Sequence, residues 1–260
     1  MIVGILGVGF LGSLIASYLE YEGITPLLIS RDKSRVTKWT EEGAQAFLLR
    51  PLIKNSWSEM LSQCDALVIT VAPGDGSSYE DTYLNTAIMV TRYPLPFYYC
   101  SSTSVYGEKN GEPVTEESPL NPLSSSDKTL VETEKVYLRH SSSTLVRIGQ
   151  LWGFERRIET RLRKPSVFEG NGSMMTNLTH VTDAARAFAF LIKNNYTGIF
   201  NVCGNVHKTR KKLYSDLAAR YHLSTPLWDP SKKSVHSGNK IVISDKIRSL
   251  GFLFKHEDYD

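Results

Sequence analysis

The sequence predicts an α/β fold: a doubly wound parallel sheet covered by helices on both faces, with a small C-terminal lobe. Apolar strand-like runs alternate with amphipathic helical segments through the first 150 residues. A glycine-rich turn stands directly between the first apolar run and the first helical segment. The alternation weakens after residue 150 and resumes near residue 181. We therefore expect one domain over residues 1–150 and 177–203, and a smaller substrate-side lobe over 151–176 and 204–260.

Each predicted element of the larger domain rests on its local pattern. The strand candidates are apolar runs at Ile2–Leu6, Thr25–Ser30, Ala46–Leu49, Ala66–Val71, Phe97–Ser101 and Thr144–Ile148. Between the first two runs, apolar residues fall at helical spacing and Gly23 is placed to end the helix. A second helix is expected to begin at Asp32 as N-cap and to stop at Gly43.

Beyond residue 150 the sequence carries fewer signals. A helix over 181–193 and a strand over 198–203 are expected to rejoin the larger domain. A helix is expected near 213–220, followed by a Pro, Ser and Lys-rich linker over 226–238. A short strand and a helix should close the chain.

Composition excludes several function classes. The net charge is +3 and the basic runs are short, so we expect solvated basic faces and no nucleic-acid interface. The cysteines Cys64, Cys100 and Cys203 are scattered, which argues against a disulfide framework and favours a reducing cytoplasm. The opening apolar run reads as a buried strand, not a signal peptide, and no run reaches membrane-spanning length. Six histidines without paired ligand spacing predict no metal site.

The glycine-rich turn predicts a Rossmann-like dinucleotide site. It consists of Gly7, Val8, Gly9, Phe10, Leu11 and Gly12. In a G-x-G-x-x-G turn that follows a strand and opens a helix, the first glycine permits the tight turn and the second lets a pyrophosphate approach the backbone. The third lets helix and strand pack closely, and the helix N-terminus favours the phosphate charge. Val71 and Ala72, which follow the core of the fourth strand, are further candidate cofactor contacts.

The end of the second strand favours NADP over NAD. An NAD site carries an acidic side chain about twenty residues after the glycine turn, where it holds the ribose 2′-hydroxyl. Here that position is Ser30, followed by Arg31. A small hydroxyl leaves room for a 2′-phosphate, which a guanidinium can bind by charge-assisted hydrogen bonds, and Arg35 could assist one turn later. In the alternative, both arginines are surface charges and Asp32 holds the ribose, although Asp32 is better explained as a helix cap.

Several short motifs in order give the chain a family resemblance. They are Ser101–Gly107, a segment at Pro119–Glu132, Leu145–Arg147 through Trp152-Gly153, His180-Val-Thr-Asp183, and Asn201-Val202. With the glycine turn in front, the chain resembles the extended short-chain dehydrogenase/reductases, specifically the epimerase/dehydratase group of nucleotide-sugar enzymes. The resemblance implies hydride transfer at a nicotinamide, proton transfer by a tyrosine, and a lysine one turn later that lowers the tyrosine pKa and binds the nicotinamide ribose.

The resemblance also exposes a departure at the reaction centre. It implies that Ser102 is the hydroxyl that bonds the reacting oxygen and that Lys128 is the lysine. The tyrosine position falls on Ser124, which we expect to share a helix face with Lys128. A serine cannot act as a base near neutral pH, so Tyr106 is the only substitute that the sequence offers. Thr176 and Asn177 stand where related epimerases carry a phosphate-binding arginine.

Two hypotheses for function stay open. The first is an NADP(H)-dependent oxidoreductase or epimerase, with NAD as the alternative cofactor, acting on a sugar-like or small hydroxylated substrate. The second is a non-catalytic dinucleotide-binding protein with a sensing or regulatory role. A hydroxyacid-dehydrogenase-type enzyme is disfavoured, because the Ser102 loop and the His180 motif would then be coincidences. Family members often form homodimers through the helix that carries Lys128, so a homodimer is also expected.

Overall fold

The computed structural model describes residues 1–72, 78, 80–164, 167–232 and 238–259, so residues 233–237 of the expected linker lie outside the described part. Its strands are β1 (Ile2–Leu6), β2 (Thr25–Ser30), β3 (Ala46–Leu48), β4 (Ala66–Ile69), β5 (Phe97–Ser102), β6 (Pro113–Val114), β7 (Ser143–Ile148), β8 (Gln150–Trp152), β9 (Val167–Glu169), β10 (Leu178–His180), β11 (Gly198–Val202), β12 (Leu227–Asp229) and β13 (Ile241–Val242). Its helices are α1 (Gly12–Tyr21), α2 (Lys33–Glu41), α3 (Lys54–Leu61), α4 (Asn85–Val90), α5 (Ser125–Leu138), α6 (Val181–Lys193), α7 (Arg210–Tyr221) and α8 (Asp245–Ser249).

Seven strands form the central sheet, in the order β11, β7, β5, β4, β1, β2, β3. Strand β1 pairs in parallel with both β2 and β4, and β4 pairs in parallel with β5. Every residue of β4 and β7 is buried, because helices cover both faces of a parallel sheet. The strand order reverses between β1 and β4, and ligands of such sheets bind beyond the carboxyl ends of the strands at that point. The predicted α/β fold with a doubly wound parallel sheet is confirmed.

By their internal contacts the residues form two compact units. The first unit comprises Met1–Ser102, Lys128–Arg147 and Val181–Phe200, and the second comprises Thr103–Asp127, Ile148–His180 and Asn201–Asp260. The sequence placed residues 103–127 with the larger domain, whereas their contacts lie with the second unit. One reason is that the N–H groups of Lys109 and Gly111 both donate to the carbonyl of Asn239, at 3.0 Å each.

Helix starts in the first unit follow from local chemistry. Helix α2 begins after Asp32, whose side chain accepts from the N–H of Ser34 at 2.8 Å, as the sequence predicted. Asp183 lies within the first turn of α6 and pairs with Arg186 at 2.7 Å. Helices α1 and α6 pack against each other. Their apolar faces are therefore buried within the first unit.

Short parallel strand pairs organise the second unit. Strand β8 pairs with β10, β9 with β12, and β6 with β13. Strand β12 lies inside the stretch that the sequence predicted as a linker, so that prediction was wrong at Leu227–Asp229. Strands of three residues carry too little periodicity to be read from sequence, and only the pairing with β9 fixes this one. The expected short strand and helix at the end of the chain are β13 and α8.

Candidate functional site

The glycine turn between β1 and α1 is shaped by two glycines that the protein itself requires. Gly7 has a φ of 110°, and a Cβ on it would lie 2.6 Å from the carbonyl carbon of Thr70. A Cβ on Gly12 would lie 2.3 Å from the carbonyl oxygen of Gly7. A Cβ on Gly9 would meet no atom within 4 Å. Gly9 therefore borders open space at the switch point of the sheet, where a pyrophosphate would need close access to the backbone.

Three carbonyl groups of the turn are occupied by donors of the first unit. The oxygen of Gly7 accepts from the N–H of Gly9 at 2.8 Å and from the Thr70 hydroxyl at 2.7 Å. The oxygen of Gly9 accepts from the N–H and the hydroxyl of Ser13, at 3.0 and 2.8 Å. The oxygen of Val8 accepts from Nη2 of Arg35. The negative ends of these peptide dipoles are thereby engaged within the protein, and α1 begins at the last glycine of the turn, so the positive end of its dipole favours an anion there.

The other predicted residues of the turn are placed as packing requires. Val8 and Leu11 are buried, and Phe10 is half-buried. Thr70 was not predicted as a residue of the site. Because Leu6 of β1 pairs with Ile69 of β4, the residue that follows β4 lies beside Gly7. Val71 and Ala72 follow as loop residues, half-buried and exposed respectively, because β4 ends earlier than predicted.

The end of β2 carries a hydroxyl and a guanidinium in place of a free carboxylate. The Ser30 hydroxyl accepts from the N–H of Asp32 at 3.1 Å. Asp32 Oδ1 accepts from the hydroxyl of Ser34 at 2.7 Å and from its N–H, and these hydrogen bonds lower the pKa of Asp32. Asp32 thus serves the cap of α2. Arg31 is exposed, whereas the guanidinium of Arg35 lies 4.7 Å from the centre of the Trp39 ring.

The two residues of the first unit that the resemblance assigns to a reaction centre lie near the ends of their elements. Ser102 is the last residue of β5 and is half-buried. Lys128 is exposed in the first turns of α5. Their assignment to the reaction centre rests on the sequence motifs that flank them.

A buried ion pair that the sequence did not reveal fixes α5. Glu134 Oε1 accepts from Nε of Arg147 at 3.0 Å, and its Oε2 accepts from Nη2 at 2.7 Å. The Ser101 hydroxyl donates to Glu134 Oε1 at 2.6 Å. Both charged side chains are at most 3% exposed. Helix α5 is therefore tied to the end of β5 and to β7 by charge-assisted hydrogen bonds.

Ser124, which the resemblance places at the position of the family tyrosine, forms a helix cap. Its hydroxyl accepts from the N–H of Asp127 at 3.0 Å, and its own N–H donates to Asp127 Oδ2 at 3.1 Å. This reciprocal pair is a capping box. The expectation that Ser124 lies on a face of the helix needs correction, because α5 begins at the next residue.

Tyr106, the substitute base that the sequence offers, is buried, and so are Tyr98, Tyr99 and Tyr137. The Tyr106 hydroxyl is fully buried and donates to Oδ1 of Asn201 at 2.7 Å. Tyr98 and Tyr99 are both buried in β5, because both faces of the sheet are covered. Burial raises the pKa of Tyr98 to about 12 and also raises the pKa values of Tyr99 and Tyr137. Tyr98, Tyr99 and Tyr137 are therefore protonated near neutral pH and cannot act as bases there.

The second unit contains a cavity beside an arginine. It is about 250 Å³ and is lined by Glu169, Gly170, Asn171, Gly172, Met174, Arg210 and Pro230. The guanidinium of Arg210 lies 5.2 Å from the centre of the Trp228 ring, and burial lowers the pKa of this group. Asn177, by contrast, is structural: its amide donates to the carbonyl of Lys240 and accepts from the N–H of Val242.

The family is decided by a match to most of the chain. The model of the NAD dependent epimerase/dehydratase family matches residues 3–203. The chain belongs to this family. Solved structures of low sequence identity share the epimerase/dehydratase fold with it.

Three such structures cover nearly the whole chain. UDP-glucuronic acid 4-epimerase from Bacillus cereus, solved with UDP-glucuronic acid and NAD, has a TM-score of 0.80 at 20% identity, covering 97% of this chain and 94% of that one. UDP-glucose 4-epimerase from Thermus thermophilus, solved with NAD, has a TM-score of 0.79 at 18% identity, covering 98% and 94%. A functionally unknown conserved protein from Silicibacter pomeroyi has a TM-score of 0.80 at 21% identity, covering 99% and 94%.

Membership in the epimerase/dehydratase family and the geometry of the glycine turn agree on a dinucleotide cofactor. Among the described residues, no group of three or more His, Cys, Asp or Glu side chains could hold a metal ion. Within the same residues, no helix is long and apolar enough to cross a membrane.

The three cysteine thiols are free, and burial raises the pKa of Cys64 to about 11 and those of Cys100 and Cys203 to about 12. These thiols are therefore protonated at neutral pH and are poor nucleophiles.

Proposed function

We propose that this family member binds NADP(H) and acts as an oxidoreductase or epimerase on an anionic, sugar-like substrate. The observation that carries the proposal is the glycine turn, whose carbonyls are engaged within the protein while Gly9 borders open space. A bound nicotinamide would supply hydride transfer. The turn and the start of α1 would hold the pyrophosphate.

The preference for NADP rests on the end of β2. Ser30 brings no charge there, and Asp32 uses its carboxylate to cap α2. A 2′-phosphate would therefore meet no competing side-chain carboxylate at the strand end itself. Arg31 is exposed and could bind that phosphate by charge-assisted hydrogen bonds.

Two residues of the first unit would serve the reacting groups. By position, the Ser102 hydroxyl would hydrogen-bond the reacting oxygen, and the Lys128 ammonium would bind the nicotinamide ribose. Lys128 is exposed at the start of α5, where a long side chain can reach a ligand. The ion pair between Glu134 and Arg147 keeps that helix in place.

The proposed substrate class is supported by the cavity beside Arg210. Its 250 Å³ is below the ~300–1,000 Å³ of sites that enclose a drug-sized ligand, so it can take only part of a nucleotide sugar. Arg210 supplies a positive charge for a phosphate or carboxylate, and the Trp228 ring lies within cation–π distance of it. UDP-glucuronic acid and UDP-glucose, which neighbouring structures contain, are suitable probes.

The second candidate is a dinucleotide-binding protein that performs no turnover. It is favoured by the capping role of Ser124 and by the engaged or buried state of Tyr98, Tyr99, Tyr106 and Tyr137. Under this alternative, NADP(H) binds with ordinary affinity and serves as a signal. Binding and turnover must therefore be measured separately.

The cofactor preference is tested by calorimetric titration of the parent with NADPH and with NADH. A charged hydrogen bond contributes about 1.5–3 kcal/mol, so the parent should bind NADPH roughly tenfold to a hundredfold more tightly. Arg31→Ala should remove most of this difference, while Arg92→Ala, which removes an exposed arginine of the same unit, should leave it unchanged. Equal affinity of the parent for both cofactors would contradict the preference.

Turnover is tested with UDP-glucose, UDP-glucuronic acid and dTDP-glucose as probes. Nicotinamide absorbance and product chromatography are followed with NADP(H) present. Conversion of any probe by the parent supports the enzyme hypothesis. Ser102→Ala should then abolish this conversion, and Arg210→Gln should weaken the affinity for the converted probe. NADP(H) binding without conversion of any of the three supports the non-catalytic alternative.

A further inference from the structure

A charged donor from α2 reaches the glycine turn. Arg35 is 27 positions beyond Val8 in the chain, yet its Nη2 donates to the Val8 carbonyl. The donors to the carbonyls of Gly7 and Gly9 are neutral groups of Gly9, Ser13 and Thr70. A hydrogen bond from a charged donor is about twice as strong as a neutral one.

We infer that Arg35 is a positioning residue for the pyrophosphate-binding turn, and that it supports every dinucleotide whether or not a 2′-phosphate is present. The inference rests on the proposed binding of a dinucleotide at this turn. It does not rest on the preference for NADP. It also assigns Arg35 a role different from the 2′-phosphate contact that the sequence predicted.

The physical reason is that Arg35 fixes one peptide plane. The carbonyl of Val8 and the N–H of Gly9 belong to the same peptide group, which is planar. The N–H donates to Gly7 at 2.8 Å, and the carbonyl accepts from Arg35, so the group is held at both ends. Without Arg35 the Val8 carbonyl would lose its positive partner, and the group could turn its negative end toward the pyrophosphate.

Trp39 holds the guanidinium in the required place. Its ring centre lies 4.7 Å from Cζ of Arg35, one helical turn further along α2. This cation–π contact restricts a side chain that otherwise has many rotamers. The arginine is therefore organised before a ligand binds, as a positioning role requires.

The two roles of Arg35 predict different ligand profiles. If Arg35 contacts the 2′-phosphate, its loss weakens the binding of NADP but not of ligands that lack this phosphate. A positioning role affects every ligand that places a pyrophosphate on the turn. ADP-ribose separates the roles, because it has the pyrophosphate but neither the 2′-phosphate nor the nicotinamide.

The experiment is calorimetric titration of the full chain with ADP-ribose and with NADP⁺. Arg35→Gln should lower the affinity for ADP-ribose about tenfold, the effect of roughly 1.4 kcal/mol, and should lower NADP⁺ affinity at least as much. Arg31→Ala should leave the affinity for ADP-ribose unchanged. Lys38→Gln, which removes an exposed cation of the same helix, should leave the affinities for both ligands unchanged. Unchanged ADP-ribose affinity in Arg35→Gln overturns the inference.

Further variants separate this inference from the proposed function. Trp39→Leu, which frees the guanidinium without removing it, should also weaken the affinity for ADP-ribose. If Arg35→Gln does not fold, this variant is the deciding test. An unchanged affinity for ADP-ribose in Trp39→Leu would then overturn the inference. A parent that binds ADP-ribose but does not distinguish NADPH from NADH contradicts the NADP preference alone. A parent that binds neither ADP-ribose nor NADP⁺ overturns both the dinucleotide site and the role of Arg35.

Discussion

Removing one partner of the ion pair between Glu134 and Arg147 should strongly destabilise the protein. Glu134→Gln removes the negative charge while keeping the size of the side chain, so the Arg147 guanidinium stays buried without its carboxylate. Both side chains are at most 3% exposed, and two hydrogen bonds of 3.0 and 2.7 Å join them. Breaking a buried pair in this way costs about 3–5 kcal/mol, because an uncompensated charge is left inside.

The expected size of the effect can be expressed as a melting temperature. For chains of roughly this length, 1 kcal/mol shifts the Tm by about 2–4 °C, so a drop of about 6–20 °C is expected. Urea unfolding followed by circular dichroism gives the free energy directly. The matched control is Glu132→Gln on the same helix, whose partner Lys135 is 2.7 Å away but whose side chain is 57% exposed. An exposed pair of this kind contributes about 0.2–1 kcal/mol.

A double variant tests whether the cost comes from the unpaired charge. Glu134→Leu combined with Arg147→Met removes both charges and should cost clearly less than the two single changes added together. The Ser101 hydroxyl loses its acceptor in Glu134→Leu alone as well as in the double variant, so its contribution cancels in that comparison. If Glu134→Gln costs no more than Glu132→Gln, the pair does not hold α5 and the reasoning is refuted.

Three further predictions concern other parts of the molecule. Gly9→Ala should leave the Tm within about 2 °C of the parent while weakening ADP-ribose in titrations, whereas Gly7→Ala should destabilise strongly because its Cβ would lie 2.6 Å from backbone atoms; a large loss of Tm in Gly9→Ala would contradict this. Tyr106→Phe should lower the unfolding free energy by about 1–3 kcal/mol, since Asn201 loses a buried donor, and should leave NADP(H) affinity unchanged; loss of affinity would assign Tyr106 to the cofactor site. Burial lowers the pKa of Lys240 to about 8 from 10.5, so the unfolded chain binds more protons between these values and stability should rise by about 3 kcal/mol from pH 8 to 10.5; Lys240→Met should lose this rise, and an identical pH profile would refute the assignment.

Much of the first unit was determined by local sequence pattern. The runs at Ile2–Leu6 and Thr25–Ser30 are strands with the predicted bounds, because continuous apolar runs between turn residues suit strands buried on both faces. Helix α6 spans the predicted residues for a similar reason: its apolar period is long. The glycine turn was also predictable, since glycine is the residue that tolerates its positive φ at Gly7.

The sequence predicted candidate site residues but not the contacts that they make. Ser124 was predicted within a helix, and the structure shows it as the cap of α5, because its hydroxyl and Asp127 satisfy each other's N–H groups. A residue is a cap only if the helix starts directly after it, and the apolar spacing of a helix does not define its first residue. The Arg35 contact with Val8 joins residues 27 apart, which no local pattern encodes.

The sequence by itself determined strands β1 and β2, helix α6 and the glycine turn, because these depend on residue type and short-range spacing. Only the tertiary structure decided which groups meet. It paired Glu134 with Arg147 and bonded Tyr106 to Asn201, residues that lie 95 apart. It also formed β12 from three residues with no period of their own. Such contacts form between distant segments, and their energy comes from burial and partners that only the folded chain provides.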